Sequence, residues 1–151
     1  MYLIHLDGID LSKVLITWLW LVGNNKIIIA LTRAGDALLK DVNRNLYFLN
    51  TRIGELELIS DDYLYFSEEK LDGTIYNKSL LPNLIDSLEE AGKILKCNQV
   101  YTHYKSPLIS GVYHENNVYI VNIYEHYNLT GEIHFQLKDV LDETKVGFKY
   151  S

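Results

Sequence analysis

The chain has 151 residues, 48% of them hydrophobic and 23% charged, which matches one soluble globular domain and excludes a disordered chain. Its formal net charge is −6, and the segment from Arg52 to Glu90 alone carries 10 acidic and 3 basic residues. Such an acidic surface repels phosphate backbones, so we expect a basic protein partner and no direct nucleic-acid binding. The alternative is an acidic face that only keeps the protein soluble.

The sequence predicts a cytoplasmic protein with no membrane contact. The longest apolar run, from Val14 to Val22, is interrupted by Thr17 and is too short to span a bilayer. The first seven residues lack the basic region of a secretory signal. Cys97 is the single cysteine and cannot form an internal disulfide, which is typical of proteins in a reducing compartment.

Four short apolar segments joined by polar turns predict an antiparallel β-meander. The first contains the continuous run Ile27–Ile29, which is typical of a strand covered on both faces. In the fourth, Glu55 and Glu57 alternate with Leu56 and Leu58, which is typical of a half-exposed strand. The predicted strands are Lys26–Thr32, Ala37–Asp41, Leu46–Asn50 and Glu55–Ser60, with turns at Arg33–Asp36, Val42–Asn45 and Thr51–Gly54.

After the meander the pattern becomes helical. Ser60–Asp62 provides N-cap side chains for a helix that ends near Lys70. Pro82 suits the first turn of a second helix, and Gly92 follows its end. The apolar stripe of this second helix comprises Leu84, Ile85, Leu88 and Ala91.

The last third predicts two strands and a helix. Alternation indicates strands at Gln99–Lys105 and Val118–Val121. Asn122 is a candidate N-cap, and apolar residues then recur at helical spacing over Ile123–Lys138. A competing interpretation breaks this segment at Asn128–Gly131 and forms a hairpin. The predicted fold class is therefore α+β, an antiparallel meander packed by two to four helices.

The sequence contains no phosphate-binding glycine loop and no nucleophile elbow, so we predict no catalytic, cofactor-binding or metal-binding residues. Cys97 would need a histidine such as His103 to act as a nucleophile, and a half-buried structural role is the more ordinary interpretation. His126 and His134 lie eight residues apart, about 12 Å along a helix, which is too far to share a metal. They either hydrogen-bond near the core or line a groove with Tyr113.

The aromatic residues suggest an interaction surface. The chain has 12 tyrosines, and tyrosine is a common anchor of protein interfaces because it buries much area at little cost in side-chain entropy. Core packing explains a high tyrosine content equally well, and we expect Trp18 and Trp20 in the core. The candidate partner-binding residues are Asp61, Asp62, Tyr63, Tyr65, Glu68, Glu69 and Tyr76.

Several stretches, in this order and spacing, resemble one bacterial family. They are Trp18–Leu21, Leu31–Ala37, Leu46–Thr51, Gly54–Leu56, Leu81–Leu84, Gly111–Tyr113 with Glu115–Asn116, and His126–Gln136. This set is similar to the C-terminal domain of the type VI secretion DNase-immunity proteins, a SUKH-like family formerly filed as a domain of unknown function. The resemblance extends from about Asp10 to Val146.

The resemblance implies a single immunity-type domain over residues 1–151 that is not an enzyme. Such a protein binds a cognate secreted toxin, here a basic nuclease effector, and neutralises it by occluding its active surface. The resemblance implies no catalytic residues. Two other classes remain open: a SUKH-like scaffold or regulator with a non-toxin partner, and an enzyme or small-ligand binder that uses a groove near Tyr113, His126 and His134.

Overall fold

In the computed structural model of the chain, the described residues are 2–61, 80–103 and 115–150, with side chains in the last range described up to residue 140. These residues form an α+β fold, as predicted, with a four-stranded antiparallel sheet, a two-stranded antiparallel sheet and three α-helices. The strands are β1 (Lys26–Leu31), β2 (Ala37–Asp41), β3 (Leu46–Asn50), β4 (Glu55–Ser60), β5 (Gln99–His103) and β6 (Val118–Asn122), and the helices are α1 (Leu19–Val22), α2 (Pro82–Glu90) and α3 (Ile123–Tyr150).

The first four strands form the predicted meander in the order β1-β2-β3-β4. The bounds of β2, β3 and β4 agree with the prediction, and β1 ends one residue early. The turn between β2 and β3 is held by the Asp41 carboxylate, which accepts hydrogen bonds from the backbone N–H groups of Asn43 at 2.9 Å and Asn45 at 3.0 Å. These two local hydrogen bonds explain why so short a polar segment forms a tight turn.

Side-chain alternation divides the meander between two cores. Leu39 and Leu49 point to a core that also contains residues before β1 and from α3. Leu38 and its cross-strand partner Phe48 point to the opposite face, where they pack with Leu80. The first core consists of Val14, Trp18, Val22, Ile28, Leu31, Ala37, Leu39, Leu49, Val100, Ile123 and Tyr127.

The expectation that β1 is covered on both faces was wrong. Ile28 is buried, but the neighbouring Ile27 is 57% exposed. β1 is the terminal strand of the meander, and an apolar run cannot distinguish a central strand from an edge strand whose second face is partly open. Of the two tryptophans expected in the core, Trp18 is fully buried, while Trp20 is partly buried and stacks on Trp18 with ring centroids 5.8 Å apart.

The segment with two competing interpretations is a helix, and the hairpin alternative was wrong. α3 begins at the predicted Ile123 and continues past Lys138 to Tyr150. Its N-terminus is capped by Asn122, whose side-chain oxygen accepts a hydrogen bond from the Tyr124 N–H at 2.8 Å. The cap is local in sequence, which is why the start of this helix was predictable.

Gly131, in the middle of α3, lies directly against Thr17. A Cβ at this position would come within 2.7 Å of the Thr17 carbonyl oxygen. We therefore expect Gly131→Ala to lower the free energy of unfolding by about 1–2 kcal/mol, although Ala favours a helix over Gly by about 1 kcal/mol. Urea denaturation measures this, with Glu132→Ala at the exposed neighbouring position expected to stay within about 0.5 kcal/mol of wild type. Unchanged or increased stability of the Gly131→Ala variant would contradict this packing.

The second half of the fold joins α2 to the two-stranded sheet. α2 begins at Pro82, as predicted, and its buried residues Ile85 and Leu88 pack with Ala34, Tyr101 and Val118. Each strand of the small sheet was predicted at its first residue. The rest of the predicted helix from Ser60–Asp62 to Lys70 and the end of the predicted strand at Tyr104–Lys105 lie outside the described residues.

Candidate functional site

The acidic segment from Arg52 to Glu90 is described at its two ends. In β4, Glu55 and Glu57 are exposed, and Asp61 is exposed directly after the strand. Of the candidate partner-binding residues, Asp61 is the one that falls in the described part of the chain. The other members lie outside it, namely Asp62, Tyr63, Tyr65, Glu68, Glu69 and Tyr76.

The acids on α2 lie at the other end of this segment. Asp86 and Glu90 are exposed, while Glu89 is half-buried and pairs with Arg33. The Glu89 carboxylate oxygen lies 2.9 Å from the Arg33 Nη1 atom, and the Asp86 carboxylate accepts a hydrogen bond from the Tyr2 hydroxyl at 3.0 Å. Glu89 therefore has a structural partner, whereas the carboxylate of Glu90 faces solvent.

The expectation that His126 and His134 line a groove was wrong. His126 is 2% exposed and His134 is 4% exposed, so neither presents a surface to a ligand. Their spacing does place both on one face of α3, as predicted, but that face packs on the meander. Tyr113, the third residue of the predicted groove, lies outside the described residues. The alternative interpretation, hydrogen bonding near the core, is the one that the structure bears out for His126.

A buried ion pair lies beside His126. The Arg52 Nη2 atom is 2.8 Å from the Asp36 Oδ2 atom, and the two side chains are 2% and 0% exposed. The second Asp36 oxygen accepts hydrogen bonds from the Thr51 backbone N–H at 2.8 Å and from the Thr51 hydroxyl at 3.0 Å. Burial raises the pKa of Asp36, while the Arg52 charge and the Thr51 hydrogen bonds oppose that rise.

His126 connects this ion pair to the small sheet. Its Nε2 atom lies 2.8 Å from the Gly35 carbonyl oxygen and 2.9 Å from the Thr51 hydroxyl. Because a carbonyl can only accept, we assign the ring proton to Nε2. The Nδ1 atom then accepts the hydrogen bond from the Thr102 hydroxyl at 2.9 Å. Burial lowers the pKa of His126 to about 4, so the ring is neutral at pH 7.

Gly35 makes room for this ring. A Cβ on Gly35 would overlap the His126 imidazole, with 2.7 Å to its Cε1 atom, and the backbone there has a φ of +85°. Both the close approach and the left-handed backbone favour glycine. His134 lies about two turns further along α3, where its ring packs on Trp18 with centroids 5.6 Å apart.

Together, Asp36, Thr51, Arg52, Thr102 and His126 form what we call the polar cluster. It joins two turns of the meander to β5 and to α3. All five side chains are buried, so they cannot meet a substrate directly, and the cluster holds these elements in one arrangement. The polar cluster therefore has a structural role, which is to fix the positions of the two turns, β5 and α3 relative to one another.

Sequence reasoning assigned no role to Asp36, Thr51 or Arg52. Asp36 and Thr51 fall within the stretches that carry the family resemblance, and Arg52 follows them directly. A polar residue next to a predicted turn is ordinarily exposed, so nothing local distinguishes Asp36 from a solvated turn residue. The sequence does place the acid Asp36 directly before the predicted strand Ala37–Asp41 and the base Arg52 two residues after the next strand, Leu46–Asn50. Those two ends lie side by side when the strands pair in antiparallel orientation.

The cysteine and the other side chains that could support chemistry lie apart. Cys97 is exposed, not half-buried as expected. It precedes β5, whereas His103 is the last residue of that strand, and β5 alone spans about 13 Å from Gln99 to His103. Within the residues described, no three His, Cys, Asp or Glu side chains cluster closely enough to hold a metal ion.

Within the same residues, no helix combines the length and the apolar character needed to cross a membrane.

No protein-family model matches the chain, and no curated protein matches it. Among solved structures, the chain is similar to the crystal structure of Atu4351 from Agrobacterium tumefaciens, with a TM-score of 0.53 over 81% of this chain. The sequence identity is 11%, and the match covers 64% of that chain, less than two thirds of its length. At this identity the similarity establishes a related fold and carries no information about activity.

Proposed function

We propose that the protein is an immunity protein that binds a cognate bacterial toxin, a basic nuclease effector, and occludes its active surface. The observation that carries the proposal is the concentration of negative charge between Arg52 and Glu90, where acidic residues outnumber basic ones by 10 to 3. The acids of this segment that the structure describes are exposed, except for the half-buried Glu89. The family resemblance of the sequence supports the same function.

The physical argument concerns the substrate that such a toxin must bind. A nuclease presents a basic cleft to the phosphate backbone of DNA. An acidic protein surface competes for that cleft, and opposite charges accelerate encounter of the two proteins. The acidic segment combines many carboxylates with tyrosines, and tyrosine side chains supply apolar contact area at the centre of protein interfaces.

A pull-down from the source cells tests the function itself. Tagged full-length protein is incubated with lysate at low and at moderate salt, and mass spectrometry identifies what is retained. We expect one stoichiometric basic effector. Retention of many weak partners, or of none, would contradict the immunity function and favour a scaffold with a different partner.

Charge reversal tests the surface. Changing Asp61, Asp62, Glu68 and Glu69 together to Lys is expected to weaken binding of the retained effector at least tenfold at low salt, about 1.4 kcal/mol, mainly through slower association. The difference from wild type is expected to shrink at high salt because ions screen exposed charges. Surface plasmon resonance at two salt concentrations measures both effects.

The matched control reverses charges outside the acidic segment. Glu125 and Glu132 are exposed on α3, and changing both to Lys adds positive charge without touching the proposed surface. We expect this variant to bind nearly as well as wild type. The control reverses two charges and the test variant four, so an equal loss per reversed charge would show that net charge alone matters. Unchanged binding after the fourfold reversal would remove this surface from the proposal.

A further inference from the structure

A cleft of about 240 Å³ opens between the N-terminal segment and the turn that precedes β5. None of the described residues that line it belongs to the acidic segment from Arg52 to Glu90. The described lining carries two positive charges, on Arg33 and Lys96, and one negative charge, on Asp7. The cleft is therefore more positive than the protein as a whole, whose net charge is −6. The described polar residues that line it are His5, Asp7, Arg33, Lys96, Cys97, Asn98 and Gln99.

The walls of the cleft are fixed by backbone hydrogen bonds. The Arg33 N–H donates to the Tyr2 carbonyl at 2.9 Å, and the Arg33 carbonyl accepts from the Tyr101 N–H at 2.9 Å. Across the cleft, the Lys96 N–H donates to the side-chain oxygen of Gln99 at 2.7 Å. A site whose walls are already ordered loses little conformational entropy when a ligand enters.

Arg33 brings a partly exposed guanidinium to the wall of the cleft. Its side chain is 28% exposed and its Nη1 atom pairs with Glu89 at 2.9 Å, while its Nε–H is enclosed and cannot reach a ligand. One carboxylate partner leaves further N–H donors on the guanidinium, because its planar fork carries five. A carboxylate or phosphate group is what such donors bind most strongly.

We propose that this cleft binds a small molecule that carries one carboxylate or phosphate group, with Arg33 and Lys96 as the residues that contact the oxyanion. The cleft is smaller than typical drug-sized sites of about 300–1,000 Å³, so it suits a ligand of a few heavy atoms. Asp7 offers an acceptor for an amine or hydroxyl on the same ligand. None of the described lining residues is among the residues proposed to bind the toxin, so either proposal can fail without the other.

Nuclear magnetic resonance of the full chain tests the proposal. Sodium phosphate and, separately, sodium acetate are titrated into ¹⁵N-labelled protein, with sodium chloride holding the ionic strength constant. We expect at least one of the two anions to produce saturating shifts in the backbone amides of residues 4–7 and 96–99. The anion that saturates identifies the ligand class. Shifts that fail to saturate with both anions would overturn the proposal.

Variants then test the two contacting residues. Arg33→Met is expected to weaken binding of the saturating anion at least tenfold, and Lys96→Gln about threefold. Glu89→Gln removes the carboxylate that pairs with the Arg33 Nη1 atom and is expected to leave anion binding in place. Lys13→Gln is the matched charge control, since Lys13 is 68% exposed and lies outside the cleft.

Wild-type affinity in a folded Arg33→Met variant would overturn the proposal. If that variant does not fold, the comparison of Lys96→Gln with Lys13→Gln decides the matter. Equal affinities in these two lysine variants would then assign the shifts to general charge screening and not to this cleft.

Discussion

Replacing Asp36 with Asn is expected to lower the free energy of unfolding by about 3–5 kcal/mol. Asn keeps the shape of the side chain and some of its hydrogen bonds but removes the negative charge that faces Arg52 at 2.8 Å. The Arg52 side chain is 2% exposed, so its guanidinium would remain buried after losing the carboxylate that pairs with it. Removing one partner of a buried ion pair is among the few changes that destabilise a protein this strongly.

A pair of controls separates the charge effect from general damage to the fold. Glu89→Gln breaks the Arg33–Glu89 pair, whose side chains are 28% and 36% exposed, and is expected to cost at most about 1 kcal/mol. The double variant Asp36→Leu with Arg52→Met removes both charges and is expected to be more stable than Asp36→Asn alone. Urea denaturation at pH 7 measures all four proteins. An Asp36→Asn variant no less stable than Glu89→Gln would show that the buried pair contributes little.

Lowering the pH from 7 to 4 is expected to destabilise the wild-type protein by about 3 kcal/mol more than a His126→Gln variant. The pKa of His126 falls from 6.5 to about 4 in the folded state, and burial is the main cause. Between these two values the unfolded chain binds a proton that the folded protein excludes. Stability therefore decreases as the pH falls through this window and changes little above pH 7.

The His126→Gln variant isolates this residue from the other groups that titrate. Gln retains an N–H donor for the Gly35 carbonyl but carries no proton-binding ring nitrogen. His103, whose pKa burial also lowers to about 4, is present in both proteins, so the effect of its own burial is common to the two curves. His5→Gln, at an exposed position, is the matched control and is expected to follow the wild-type curve. Parallel curves for wild type and His126→Gln would contradict a neutral, buried His126.

The elements that the sequence predicted correctly depend on neighbours along the chain. The bounds of β2 and β3 follow from short apolar segments and from turn residues such as Asp41, whose side-chain hydrogen bonds to Asn43, Asn45 and Tyr47 are all local. The start of α3 follows from Asn122, which caps a residue two positions away. The α+β class follows from the order of these elements.

The features that the sequence did not predict depend on residues that are distant along the chain. Asp36 meets Thr51 and Arg52 only because β2 and β3 pair in one register, which brings the two turns together. The sequence indicates that Ile27 is apolar, but its exposure depends on the position of β1 at the edge of the sheet.

By itself, the sequence determined the meander, the helices α2 and α3 and the concentration of negative charge, because periodicity, caps and composition are local properties, whereas the short helix α1 was not predicted. Tertiary structure decided that His126 and His134 lie in the core and line no groove. The His126 ring meets Gly35, which is 91 residues away, and Thr51, which is 75 residues away. Burial of a side chain is set by such distant contacts, and a single sequence does not specify which of its polar residues will be enclosed.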